Sequence, residues 1–328
     1  MTKILSYYEG KKVDVVIITS LIVSIIITSS FILFSPDGNI RAYNAILTST
    51  VSVGVAFVIC FVQIFRYKKN IRKYERNRRT FAEQTNDKQL HHYYYDNNKM
   101  HFSICLFLVL WLAAQAIWLS QYQQVSYSIT DALWFVGYAS FGYFLFSLYY
   151  HFFRKEFEPF ILILIAIIIL IVLLFVLDVI VSTLRLLSTQ EIDFSILLVT
   201  LVYPILDAIM IFPAVLIFWA VRRIRKHQDA PQDEQKKGQK SKEEETKLSS
   251  YSISTVSSIW ILLLSISMIL SAIGDIGYAY STALGPDTVL RDIWIWNIFY
   301  NTDHLCLAAA LIGYRYFFSF RTPNILQY

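Results

Sequence analysis

An uninterrupted apolar run of 18 residues is the feature that most restricts how this chain can fold. The run reads FILILIAIIILIVLLFVL, from Phe160 to Leu177, and contains no charged side chain. At a rise of about 1.5 Å per residue, a helix of this length nearly spans a hydrocarbon core of about 30 Å. Because the run lacks the alternation of polar and apolar residues typical of a membrane β-strand, it predicts a transmembrane helix.

Runs of this kind recur along the whole chain. The composition agrees with them, because 56% of the residues are hydrophobic and only 16% are charged, against about a quarter in soluble domains. The sequence therefore predicts an all-α transmembrane helix bundle that forms a single integral membrane domain. Eight spans are predicted: Val15–Phe34, Asn44–Phe65, Phe102–Tyr122, Ile129–Phe153, Pro159–Val181, Ile196–Val221, Ile253–Tyr280 and Ile293–Phe318.

The basic residues predict the orientation of these spans. All but three of the 29 Lys and Arg residues fall on the side of the N-terminus, the exceptions being Arg41, Arg185 and Arg291. Cytoplasmic loops carry such an excess of basic residues. We therefore expect a multi-pass protein of the cell membrane with both termini in the cytoplasm. Two long cytoplasmic loops are predicted, 66–101 and 222–252.

The loops also indicate which partners to expect. The basic run RYKKNIRKYERNRR, Arg66–Arg79, begins where a span ends, so we interpret it as a collar that binds anionic lipid rather than nucleic acid. Neither loop is long and apolar enough to fold as an enzymatic domain with its own core. The predicted partners are the lipid bilayer and a separate signalling protein at the cytoplasmic loops. The sequence does not specify an oligomeric state.

No cofactor, metal or catalytic residue is predicted. The three cysteines, Cys60, Cys105 and Cys306, lie inside predicted spans and form no CxxC motif. No lysine lies inside a span, which excludes a retinal Schiff base. His304 has no second histidine at HxH or HxxxH spacing, and neither a phosphate-binding loop nor a nucleophile elbow occurs. An enzyme is therefore not the favoured interpretation.

The two halves of the chain resemble each other. Span four reads TDALWFVGYASFGYFLF and span eight reads TDHLCLAAALIGYRYFF, each with Thr-Asp near its start and Gly-Tyr further along. Since four spans return the chain to the same side of the membrane, a duplication would give parallel halves. We therefore consider a four-plus-four repeat as a hypothesis.

Five acidic residues lie within the predicted spans: Asp131, Asp178, Asp207, Asp275 and Asp303. A charged side chain at membrane depth costs at least several kcal/mol, so it usually faces the bundle interior and is functional. Asp131 and Asp178 lie at outer span ends and are interpreted as interfacial caps. The other three lie deeper, and no acid lies in the inner half. This depth profile predicts a polar cavity that opens outward.

Neighbouring residues support a shared interior. In span eight, Asn297, either Tyr300 or Asn301, His304 and Ala308 recur at helical spacing, whereas Asp303 points about 100° away from His304. The predicted ligand-binding residues are Asp207, Asp275, Asp303, His304, Asn297, Tyr300, Tyr203 and Tyr278. Beside Asp275, the small residues Ser267, Ser271 and Gly274 permit close helix approach. Two alternatives stay open: the acids are polar contacts that hold helices together, and Pro204 and Pro213 merely bend the helix that carries Asp207.

A family resemblance covers Asp131 to Phe318. The strings TDALWFVGY, YPILDAIMIFPAVL, GDIGYAYSTALG and WNIFYNTDHLCLAAALIGY resemble the polytopic sensor modules that precede histidine-kinase and diguanylate-cyclase domains in prokaryotes. The resemblance implies that the helices themselves perceive a signal. It departs from the family pattern in having no output domain after Phe318, which implies a free-standing receptor that signals through a partner.

Three functions are consistent with these observations. The favoured hypothesis is a membrane protein that senses or binds a small ligand in the outward-facing cavity. A transporter of a small cationic or protonated solute is the first alternative, although the absence of acids in the inner half is unfavourable to it. An intramembrane aspartate-dependent hydrolase is the second, because Asp207 and Asp275 could share a proton and activate water. The Gly-x-Gly-Asp motif of such hydrolases is incomplete in this sequence, since Ala272 stands at the position of the first glycine.

Overall fold

The computed structural model describes residues 2–79, 87–121, 129–152, 194–228, 259–283 and 286–321, together with isolated positions between 160 and 181. Within the six continuous ranges the chain is helical apart from a short turn before Gly38. The seven helices are α1 Thr2–Leu33, α2 Gly38–Arg79, α3 Asp87–Gln121, α4 Ile129–Phe152, α5 Phe194–Gln228, α6 Ile259–Ala283 and α7 Pro286–Arg321. The predicted fifth span, Pro159–Val181, lies outside the continuously described residues.

The chain is a multi-pass membrane protein. Five helices are long and apolar enough to cross a bilayer, over Asp14–Leu33, Gly38–Phe65, Lys99–Gln121, Ile129–Tyr150 and Ile259–Ser281. They coincide with the predicted spans one to four and seven, so this part of the prediction is confirmed. In α5 the apolar stretch Ile205–Ala220 is shorter, and α7 covers the predicted eighth span. The count of eight, the sidedness and the four-plus-four repeat stay predictions.

Several helices continue beyond their apolar stretches. The segment 66–101, predicted as a loop, is helical from 66 to 79 and from 87 to 101. The reason lies in its composition: it contains no glycine or proline and is rich in Lys, Arg, Glu and Gln, which are good helix formers. The polar extensions therefore prolong the membrane helices into water.

Six of the helices form a closed ring. Each packs against two neighbours in the order α2, α3, α4, α5, α6, α7 and back to α2. Helix α1 lies outside the ring, where it packs against α7 and α2. Only 17% of its apolar span is buried, against 50% of the span in α6. The exposed apolar side chains of α1 are therefore suited to contact lipid.

Aromatic side chains fill one end of the ring, where α4 ends and α6 begins. Phe107 and Phe141 stack with their centroids 4.5 Å apart, and Phe141 stacks on Phe144. Tyr314 of α7 contacts both Phe144 and Trp260. All five side chains are buried. Asp275 and Asp303 lie towards the opposite end, where α4 begins.

Helices α6 and α7 approach each other closely at glycines, as the small residues of α6 predict. A Cβ atom on Gly277 would lie only 2.2 Å from ring atoms of Trp296. The indole of Trp296 in turn donates its N–H to Ser281 Oγ at 2.8 Å. Because nothing but hydrogen can occupy that position of Gly277, this residue sets how near α7 lies to α6.

Candidate functional site

A phenolic hydroxyl joins two carboxyl groups inside the ring. The hydroxyl of Tyr138, on α4, lies 2.8 Å from Oδ1 of Asp207 on α5 and 2.5 Å from Oδ2 of Asp275 on α6. Tyr138 and Asp207 are only 3% and 4% exposed. A phenol has one proton to donate, so it can donate to only one of the two carboxyl groups. For both contacts to be hydrogen bonds, the other carboxyl must be protonated and donate to the phenolic oxygen.

A second phenol also contacts Asp275. Tyr300 of α7 donates its hydroxyl to Asp275 Oδ1 at 2.5 Å. The ring of Tyr300 lies across Gly274, where an added Cβ would be 2.6 Å from Cε1 of the ring. Only a glycine leaves room for an aromatic ring at this distance. Gly274 therefore positions Tyr300 beside the carboxylate of the following residue.

Helix α7 carries two polar faces. Tyr300 and Asp303 face α6, where Ser267 donates its hydroxyl to Asp303. Asn301 and His304 lie about 100° further round, since one residue turns the helix by that angle, and they face α2. The sequence left open whether Tyr300 or Asn301 shares the face of His304, and the structure places Asn301 there.

Asn301 ties three helices together on the α2 side of α7. Its Oδ1 accepts a hydrogen bond from Ser52 at 2.6 Å, and its Nδ2 donates to Thr28 of α1 at 2.7 Å. Asn297 behaves differently, because its Nδ2 donates to the Ile293 carbonyl within the same helix. Asn297 was a predicted site residue, and it forms no side-chain hydrogen bond to the acids.

His304 has one ring nitrogen in contact and one without a partner. Its Nδ1 lies 3.3 Å from Ser49 Oγ. Its Nε2 lies 3.9 Å from Asp303 Oδ2, which is too far for a hydrogen bond, and has no other partner. Asp303 and His304 are thus not hydrogen-bonded to each other. Their positions in the sequence predict this, because adjacent side chains on a helix point about 100° apart. His304 is 1% exposed, so the free nitrogen points into the protein.

Four aromatic side chains, here called the aromatic box, form a closed circuit: Trp111, Trp134, Tyr203 and Tyr138. Successive ring centroids lie 6.4, 6.1, 6.3 and 5.1 Å apart around the circuit. Successive rings are inclined by 51° to 77°, so no neighbouring pair in the circuit is stacked in parallel. Both phenols bind acids, because Tyr203 donates its hydroxyl to Asp131 Oδ1 at 2.7 Å. The box therefore adjoins the carboxylates.

The remaining contacts lie towards the end where α4 begins. Tyr278, a predicted site residue, stands perpendicular to Trp118 at 6.3 Å between centroids. Trp118 also contacts Trp134 of the box, at 5.7 Å. Asp131, interpreted from sequence as a cap, lies in the first turn of α4 and accepts the hydrogen bond from Tyr203. Asp178 occupies an exposed position among the isolated residues described.

Sequence reasoning found most of the acids but missed the group that joins them. Asp207 and Asp275 are joined through Tyr138, which was not among the predicted site residues, and Tyr300 bonds Asp275 directly. One signal could have indicated it: Tyr138 follows Asp131 by seven residues, two helical turns, and so lies on the same face. Trp111 carried no comparable signal, because its role depends on which helix faces α3.

The arrangement can hold protons and positive charge. Among the described side chains, no Lys or Arg forms an ion pair with Asp207, Asp275 or Asp303. Nor do the described residues contain a group of three or more His, Cys, Asp or Glu that could hold a metal. An aspartate-dependent hydrolase would need water between Asp207 and Asp275. The Tyr138 hydroxyl contacts both of those groups.

The site is defined by its own geometry. It consists of carboxyl groups joined by phenols, an aromatic box beside them and one unpartnered histidine nitrogen. Similarity to other proteins adds nothing to it, since no family model, no curated protein and no solved structure matches this chain.

Proposed function

We propose that this multi-pass membrane protein binds a small ligand at the cluster around Tyr138 and signals its presence through a partner protein. The observation that carries the proposal is the Tyr138 hydroxyl shared between Asp207 and Asp275. Three separate helices meet at this point. A ligand that changes the hydrogen bonding here changes the contacts of α4, α5 and α6 at once.

Unpartnered polar atoms favour ligand binding over a purely structural role. Asp207 Oδ2 and His304 Nε2 are buried and have no hydrogen-bond partner. Leaving such an atom unpaired costs about 1–3 kcal/mol. Contacts that served only to hold helices together would be expected to leave fewer atoms unpaired. A ligand that pairs with them recovers this free energy on binding.

A continuous helix offers a route from the cluster to a cytoplasmic partner. Helix α5 runs from Phe194 to Gln228 without interruption, through both Pro204 and Pro213. Asp207 lies between the two prolines, and the helix ends in the basic stretch RRIRKHQ. A displacement of α5 at Asp207 would move this stretch, which is where the sequence predicts a cytoplasmic loop. Such rigid-body helix shifts are common in switching proteins.

Ligand-dependent stability tests the proposal. We expect at least one member of a small-solute panel to raise the melting temperature of the purified protein, because a ligand that binds only the folded state stabilises it. At a hundredfold excess over Kd the gain is about 2.7 kcal/mol. Asp207→Asn should remain folded and lose the response. The measurement is thermal unfolding in detergent, followed by loss of soluble protein.

A matched substitution provides the control. Asp292→Asn makes the same chemical change near the beginning of α7, where the hydrogen bond from Arg291 holds the pKa of Asp292 below its ordinary value. We expect this variant to respond to the solute like the unaltered protein. An equal response from Asp207→Asn, or no response of the unaltered protein to any solute, would contradict binding at the cluster.

Transport, the alternative considered from the sequence, is less well supported. The stacked rings of Phe107, Phe141 and Phe144 pack inside the helix ring next to the cluster, on the side where α4 ends. We therefore expect proteoliposomes to take up a stabilising solute no faster than protein-free vesicles. Radiolabel counterflow measures this. Saturable uptake that disappears in Asp207→Asn would instead establish a transporter.

A further inference from the structure

We infer that the ligand is a small protonated amine whose alkyl part lies against the aromatic box and whose ammonium group binds the carboxylates. The inference rests on the proposed function and names the ligand class for the same site. It draws on three observations: the sign of the charge, the type of atom left unpaired and the rings beside it.

The charge of the cluster calls for a cation. Asp207, Asp275 and Asp303 are contacted by the neutral hydroxyl groups of Tyr138, Tyr300 and Ser267, and one of the two carboxyl groups on Tyr138 must itself carry a proton, whose place a protonated ligand can take. No described Lys or Arg neutralises them. A carboxylate in low-dielectric surroundings is stabilised far more by a positive charge than by a neutral donor. The cluster therefore favours a cation over a neutral or anionic ligand.

Two of the buried atoms without a partner are acceptors, which suit a ligand with N–H groups. Asp207 Oδ2 is a buried acceptor without a donor. Gln115 Oε1, one turn along α3 from Trp111, is a second, and Gln115 is 3% exposed. A primary ammonium carries three N–H donors, whereas a quaternary ammonium carries none. These two acceptors suit an amine with N–H groups, whereas Trp134 Nε1, a buried donor that also lacks a partner, does not distinguish between the ligands.

A histidine nitrogen gives independent support. The 3.9 Å between His304 Nε2 and Asp303 Oδ2 is too long for a direct hydrogen bond. A single polar atom at about 2.8–3.0 Å from both would fit between them. His304 is not one of the acids, so its unpaired atom is a separate observation. Its Nε2 faces Asp303 and has no hydrogen-bond partner.

The aromatic box supplies the apolar contact. Cations bind over aromatic faces, best over tryptophan, and two of the four rings are Trp111 and Trp134. The inclination of neighbouring rings by 51° to 77° presents ring faces in several directions. An alkyl chain attached to the ammonium would bury apolar area against the same rings. Charge and alkyl contact together specify an alkylamine rather than a bare metal ion.

The test compares four probes on the purified full chain: n-butylammonium, tetramethylammonium, n-butanol and butyrate. Binding constants come from the concentration dependence of the melting temperature. We expect n-butylammonium to stabilise the protein saturably and to bind at least about tenfold more tightly than the other three. Binding of tetramethylammonium, n-butanol or butyrate as tight as that of n-butylammonium would overturn the inference.

Two variants locate the binding. Asp207→Asn should weaken n-butylammonium binding by about tenfold or more, because an ionic hydrogen bond is lost. Trp134→Leu, which keeps every carboxylate, should weaken it severalfold through loss of one ring. Asp292→Asn should bind as the unaltered protein does. If Asp207→Asn does not fold, unchanged binding by Trp134→Leu still overturns the inference.

Failure of this inference can be distinguished from failure of the proposed function. If no amine stabilises the protein but a neutral or anionic solute does so in an Asp207-dependent manner, the site binds a ligand of another class and only the amine assignment is wrong. If no probe and no solute stabilises the protein, the proposed function is wrong as well.

Discussion

Replacing Tyr138 by phenylalanine is expected to destabilise the protein by roughly 2–4 kcal/mol, although it removes a single oxygen atom. The hydroxyl contacts both Asp207 and Asp275, so its loss leaves two buried carboxyl groups short of a partner. A buried polar group without its hydrogen bond costs more than the bond itself contributed. Equilibrium unfolding of the purified protein in a mild detergent measures the change.

The same helix offers a control for this substitution. Tyr143 is 49% exposed on α4, so Tyr143→Phe removes a hydroxyl away from the cluster and should change the stability by no more than about 0.5 kcal/mol. Combining Tyr138→Phe with Asp207→Asn should cost less than the sum of the two, because the residues share one bond. Additive effects, or a Tyr138→Phe variant as stable as Tyr143→Phe, would show that the hydroxyl is not shared.

Gly277→Ala is expected to have a similarly large effect for a steric reason. The new methyl group would lie 2.2 Å from the Trp296 ring, so α7 must move away from α6 or the indole must turn. Overpacking of this kind costs about 1–3 kcal/mol and occasionally more. The turn of the indole would also break its hydrogen bond to Ser281. Thermal unfolding reports the loss of stability.

Gly54→Ala is the matched control for this prediction. Its Cβ would lie 3.8 Å from Leu112, an ordinary contact distance, within the middle of α2. Alanine is favoured over glycine in a helix by about 1 kcal/mol, so Gly54→Ala should be neutral or stabilising. The two substitutions are chemically identical, and equal melting temperatures would exclude close packing of α6 against α7 at Gly277.

Sequence alone predicted membrane helices because the hydrocarbon core imposes length and hydropathy on each of them independently. It identified Asp207 and Asp275 for a related reason, since a charge at membrane depth is expensive wherever its partners lie. The sequence could not predict which side chain contacts these two acids, because the periodic pattern of one helix does not specify which helices pack against it. Tyr138 was missed on this account. Aromatic residues are frequent in every span, and only the ring order of the helices distinguishes this one.

Asn301 and Tyr300 show where the limit lies within a single helix. The helical period correctly separated Asp303 from His304 by about 100°. It could not decide which of two adjacent residues belongs to the face of His304, since both lie within the width of that face. The partners decide it: Ser52 on α2 bonds Asn301, and Asp275 on α6 bonds Tyr300.

Closure of the ring by α7 against α2 also dictates when the protein can assemble during synthesis. The contact between Ser49 and His304 joins residues separated by 255 positions in the chain. At about 5–20 residues per second, a ribosome needs roughly 15–50 seconds to make the intervening segment. During that interval Ser49 and Ser52 lie in the bilayer without their α7 partners. Asp275 lacks its contact with Tyr300 for a shorter interval. The contacts of α7 with α2 and α6 therefore form in one late step, and until then the described helices α2 to α6 leave one flank of the ring open.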